Sequence, residues 1–159
     1  MIYLLFKLLH IAGAIAFVGN IVIGIFWKLN ADRTRDPAII ANATAGINRA
    51  DLIFTFPGIF ALLIGGFGAA GVAHISIIHT GWILWGLGLF LVSGIAFGPT
   101  RRAQREMQTI AEAGAKSGTM DWAAYDAATA RWNVAGMIAT ITPLLALVVM
   151  VLKPALPAF

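Results

Sequence analysis

At 159 residues, 60% hydrophobic and only 11% charged, the chain is too apolar for a soluble domain of its size and reads as a single membrane domain. The net charge of +4 does not point to nucleic acid, because the basic residues sit in two short loops between apolar stretches. The absence of cysteine excludes disulfides, thiolate-held iron–sulfur clusters, a cysteine nucleophile and covalent c-type haem attachment, so any haem would be held non-covalently.

The first element, Ile2 to Trp27, has Lys7 as its only charge and His10 and Asn20 as its other strongly polar side chains. It is long enough to cross a bilayer, which takes about 20 residues. It lacks a basic leader and its apolar run is too long for a cleaved signal, so it is expected to be a retained helix. At helical spacing His10, Gly13, Phe17, Asn20, Gly24 and Trp27 share one stripe, with Lys7 a turn before the histidine. An ionisable residue inside a span is costly unless it faces protein, water or a cofactor, which makes His10 the first candidate site residue.

A polar segment follows from Lys28 to Asp51. Within it Asp36-Pro37 is a helix start, an N-cap acceptor followed by proline at the first helical position. The helix it opens is expected either to lie at the membrane surface or to run straight into the second span, about 52–73. That span holds Pro57 and Gly58, Gly65, Gly66, Gly68 and Gly71, small residues that let helices approach closely. Thr55 is expected to help satisfy the backbone freed by Pro57. The run from Gly66 to Gly71 matches G-x-G-x-x-G, but it follows no strand and is read as helix packing.

The next connection carries His74, Ser76 and His79 and no other ionisable group. Span three, about 80–97, opens with Trp82 and Trp85, where an aromatic belt would sit. From Gly98-Pro99 the chain turns polar and amphipathic, interrupted by Gly114 and Gly118. A further helical piece starts near Thr119 to Asp121 and flows into span four, about 132–152, which Lys153-Pro154 stops.

The pattern predicts an all-α fold, a four-helix up-and-down transmembrane bundle forming one domain over 1–159. Lys28, Arg33, Arg35 and Arg49 lie between spans one and two, and Arg101, Arg102, Arg105, Lys116 and Arg131 between three and four. Nine of the 11 basic residues therefore share one side, as do all 7 acidic ones. That side is expected to be cytoplasmic, with both termini outside a bacterial inner membrane.

Among the polar residues, His10 is a candidate iron ligand, with Lys7 placed to meet a propionate or another anion. The competing reading has His10 hydrogen-bonding a neighbouring helix while Lys7 reaches the interface. His74, at the same face, is a candidate second ligand; it and His79 also read simply as solvated loop residues. Arg49, Asp51 and Arg131 could form ion pairs, bind lipid phosphate or anchor the charged side. Asn20 is expected to hydrogen-bond across the bundle. No acid is positioned to orient His10, so Ser/His/Asp chemistry has no support, and the scattered methionines build no copper site.

Through Lys7-Leu8-Leu9-His10, the Ala50 to Pro57 segment, the Arg-rich exit of span three, Arg131-Trp132 and Val151-Leu152-Lys153-Pro154, the chain resembles a bacterial family of predicted four-span integral membrane proteins. More distantly it resembles the HemJ-type membrane protoporphyrinogen oxidases and the copper-resistance D membrane proteins. The HemJ resemblance implies haem b at the first-span histidine, here His10. Span three holds no histidine or lysine and span four no acid after Asn133, which departs from that pattern and leaves a mono-ligated haem or none. Two functions follow as expectations: a haem-b-binding redox or quinone-linked membrane protein, or a cofactor-free structural or assembly subunit packing on other membrane helices, those of other subunits or of further copies of itself. Transport of a metal or small solute is a third.

Overall fold

The computed structural model describes all 159 residues. Five α-helices and one π turn follow each other: α1 (Ile2–Thr34), α2 (Pro37–Ala50), the π turn (Asp51–Thr55), α3 (Phe56–Val72), α4 (Gly81–Ser117) and α5 (Trp122–Leu152). Because the π turn joins α2 to α3 without a break, the chain makes four long rods, each containing a stretch apolar enough to span a membrane. The helix opened by Asp36-Pro37 thus runs straight into the second span. Its cap is as the sequence implies, with Asp36 Oδ1 accepting from Ala38 N at 2.8 Å and Ile39 N at 3.2 Å.

The helices overrun the apolar stretches at the charged end. α1 continues beyond Trp27 to an Arg35 cap in the left-handed region, and α4 passes through Pro99 and Gly114 before Gly118 ends it at φ 74°. Asp121 caps α5 by accepting from Ala124 N at 2.9 Å. This overrun builds a four-rod bundle outside the spans, and the main core lies there. Ala31, Ile40, Ala103, Met107, Ala111, Met120, Tyr125, Ala128 and Trp132 form one buried cluster.

In the apolar half the rods pair off. α1 packs against α3, and α4 against α5, while α2 bridges α1 and α4 at the charged end. The pairs meet through two edge-to-face contacts, Phe17 with Phe90 at 5.6 Å and Phe56 with Phe97 at 5.9 Å. At the far end the tail after α5 folds back over α4: Trp85 Nε1 donates to the Pro157 carbonyl at 3.1 Å, and Lys153 Nζ sits 5.0 Å from the Trp82 ring. The two tryptophans therefore hold the tail.

Candidate functional site

The α1–α3 pair brings backbone against backbone. A Cβ added to Gly65 would lie 2.7 Å from His10 Cα, and one added to Gly13 would lie 2.7 Å from the Gly58 carbonyl oxygen, so neither position accepts a larger residue without separating the helices. This close approach delivers the His10 ring to α3. Nδ1 lies 2.7 Å from the Leu62 carbonyl oxygen, which can only accept, so Nδ1 carries a proton and in the neutral ring the lone pair falls to Nε2. Gly66 makes room for the ring: a Cβ there would be 2.9 Å from Nδ1 and 3.1 Å from Cε1.

The other residues named with His10 do not converge on it. Lys7 is exposed and forms no ion pair. His74 is exposed beyond the end of α3, at φ 54°. Since Gly65 faces His10 and Gly68 faces Phe6, the two helices run antiparallel, and His74 sits roughly 10 Å or more further along the bundle axis than His10. His79 bonds the Phe159 carbonyl oxygen through Nδ1, also in the exposed loop. No three His, Asp or Glu side chains come together as a metal-holding group.

A second polar constellation lies where the spans meet the charged end. Pro57 has no N–H and its ring would clash with the carbonyl four residues back, at Ile53; the chain answers with the π turn, in which Phe56 N bonds the Asp51 carbonyl. The wider turn leaves Asp51 and Thr55 buried and facing inward. Asp51 Oδ1 accepts from Asn20 Nδ2 at 3.1 Å and Thr55 Oγ1 at 2.9 Å, and Oδ2 accepts from Gln104 Nε2 at 2.8 Å. Gln104 continues the network to Asn48 at 3.0 Å and accepts from Trp132 Nε1 at 3.1 Å. Asn20 makes the cross-bundle bonds expected of it. Thr55 instead serves the Asp51 side chain rather than the backbone near Pro57. Neither Arg49 nor Arg131 pairs with Asp51: Arg131 holds Glu106 at 2.8 Å and Arg49 is unpaired.

The sequence reading missed a third group altogether. Lys28 is only 2% exposed, bonded to the Asp32 carboxylate and to Thr129 Oγ1 at 3.2 Å, and lies 5.3 Å and 5.4 Å from the Tyr125 and Trp132 rings. Tyr125, beyond the apolar stretch of α5, donates its hydroxyl to Asp32 at 2.5 Å; burial, then the Asp32 carboxylate, push the phenol above its ordinary range. The spacing of Lys28 to Asp32, one helical turn, was the available signal.

Glycine-mediated helix pairing, lipid-length apolar rods and a buried polar seam at one end define an integral membrane helical bundle. The chain belongs to the family of predicted integral membrane proteins designated DUF2269, whose model matches residues 4–154. No curated protein and no solved structure matches it significantly.

Proposed function

We propose that this chain is a membrane haem-b protein in which His10 Nε2 is the single protein ligand to iron and Lys7 is the charge nearest a propionate. The observation that carries the reading is the bond from Nδ1 to the Leu62 carbonyl. It fixes the tautomer and the ring, as a partner outside the metal's own ligands does for ligating histidines, and leaves Nε2 uncommitted. One oriented donor suits one axial position. A bound haem would supply one-electron redox chemistry. The chain's own part is to present a neutral, oriented imidazole in the apolar half, where Gly66 leaves the ring its space.

The charged end faces the cytoplasm of a bacterial inner membrane and both termini lie outside, on the strength of the nine basic residues at one end. Reporter fusions after Ala41 and Ala115 should then report cytoplasm and a fusion at Phe159 the outside.

The test of the cofactor is haem-supplemented expression followed by a pyridine haemochrome assay. Near-equimolar haem in the parent, lost in His10→Ala with helicity retained, is expected. A stoichiometry near zero in the parent removes the reading. It would leave the second, a cofactor-free assembly subunit, which one observation favours: Gly19, Gly71, Gly88 and Gly94 have nothing within 4 Å of an added Cβ, so the outer faces stay open to close approach by other helices. That outcome predicts a colourless protein co-purifying with a larger membrane complex.

A further inference from the structure

Outward of the Asp51 network, the cross-helix hydrogen bonds stay inside the helix pairs. His10 Nδ1 bonds the Leu62 carbonyl oxygen within α1–α3, and Ser93 Oγ donates to the Ala139 carbonyl at 2.8 Å within α4–α5. The backbones of the two pairs stand apart: no Cα of α3 lies within 8 Å of one in α4 or α5, and none of α1 within 8 Å of one in α4. The bonds from α1 to α5 are all at the charged end, Lys28 with Thr129, Asp32 with Tyr125 and Arg35 with Asp126.

The connection from α3 to α4 is divided in the same way. His74 N and Ile75 N bond back to the Gly71 and Ala70 carbonyls of α3, at 3.2 Å and 3.0 Å, whereas the Ile78 carbonyl and the His79 ring bond Phe159, in the tail that lies on α4. What joins the pairs in the apolar half is side chain against side chain, at Phe17 with Phe90 and Phe56 with Phe97. Lipid tails solvate a phenyl ring about as well as another ring does, so such contacts exchange for lipid at little cost; backbone packing on glycine and a hydrogen bond do not. At the charged end the buried cluster around Met107 takes residues from all four rods and holds them together. A packed base carrying two internally bonded pairs with few mutual contacts is the geometry of a hinge.

We infer that α1–α3 and α4–α5 are two arms hinged on the charged-end core, and that they part within the bilayer to admit an apolar, lipid-dissolved molecule to the line of α1 that carries His10. Phe17 is the residue of that line whose ring meets α4, and His10 lies two turns, roughly 10 Å, outward of it on the same line. Parting the Phe17 and Phe90 rings therefore opens α1 at the histidine. The inference holds with or without a haem on His10.

The chain has no cysteine, so introduced cysteines carry spin labels without interference. Full-length protein in lipid nanodiscs is labelled either at Ile11→Cys with Leu147→Cys, exposed positions on opposite arms, or at Arg33→Cys with Ala127→Cys, exposed positions on the same two helices at the base. Double electron–electron resonance should give a narrow distance distribution at the base and a broad or two-peaked one between the arms. Phe90→Ala, which deletes one ring of the contact between the arms, should shift the arm distances longer and leave the base distances unchanged. A single nitroxide at Ala14→Cys, between His10 and Phe17, should be relaxed by lipid-dissolved oxygen, and more strongly in Phe90→Ala. The proposal is overturned by an arm distribution as narrow as that of the base, by arm distances that ignore the loss of the Phe90 ring, or by an Ala14→Cys nitroxide that lipid-dissolved oxygen does not reach.

Discussion

The two halves of this molecule are held together by different physics. At the charged end, side chains fill a core around Met107 and Ile40, both fully buried, and a hydrogen-bonded seam runs through Asp51, Gln104 and Asn48, as in a water-soluble bundle. In the apolar half α1 and α3 meet through glycines, backbone to backbone, and the rods leave large residues such as Ile15, Phe60, Leu91 and Ile95 facing outward. The difference follows from the surroundings. Water drives apolar side chains together, whereas lipid gives them no reason to leave it, so association there rests on close packing and a few cross-helix hydrogen bonds.

Five substitutions sharpen the contrast. The largest effect is expected at the charged end, where Asp51→Ala would strand the buried donors of Thr55 and Gln104 and loosen Asn20. With each orphaned group worth about 1–3 kcal/mol, a loss of about 4 kcal/mol should appear in chemical denaturation in detergent. A loss under about 1 kcal/mol would mean that the seam is not structural.

In the apolar half, Gly65→Ala should cost about 2 kcal/mol, because a single methyl meets the backbone of α1, while Gly71→Ala, on an open face, should stay within about 0.5 kcal/mol. Equal melting of the two variants would show that the α1–α3 pair is not backbone-packed.

Tyr125→Phe removes one hydroxyl at the charged end and should cost about 1 kcal/mol at neutral pH. The raised phenol also sets a pH dependence. Above about pH 10 the unfolded chain releases the tyrosine proton while the folded chain retains it, so stability falls as pH rises from there; below it the contribution is fully present. Alkaline denaturation curves should show that component in the parent and not in Tyr125→Phe.

The smallest effect is expected at His10, where His10→Ala in haem-free protein breaks one cross-helix bond, worth about 0.6 kcal/mol. A much larger loss would give the histidine a structural weight that the geometry does not suggest.

Much of the candidate site was legible one residue at a time. His10 stood out because an imidazole within an apolar run needs a partner, and Asn20 because it shared the histidine's stripe. Their partners were not legible. The Leu62 carbonyl is no more conspicuous in sequence than any other; it becomes a partner only because Gly13, Gly58 and Gly65 set the register of α1 on α3. Lys28 misled in the opposite direction, reading as one more basic loop residue, since its burial requires α1 to continue past the span and Tyr125 and Trp132 to close over it from a rod about a hundred residues away.

Hydropathy, charge placement and capping signals by themselves determined four apolar rods, the end at which the charges gather and the start of α2, because lipid imposes rules that act on each segment alone. Only the tertiary structure decided that the rods pair as α1 with α3 and α4 with α5, that Pro57 opens a π turn turning Asp51 inward, and that His10 and His74 lie apart. These depend on helix register and rotation, which are fixed by contacts between residues distant in the chain and leave no periodic mark within any one segment.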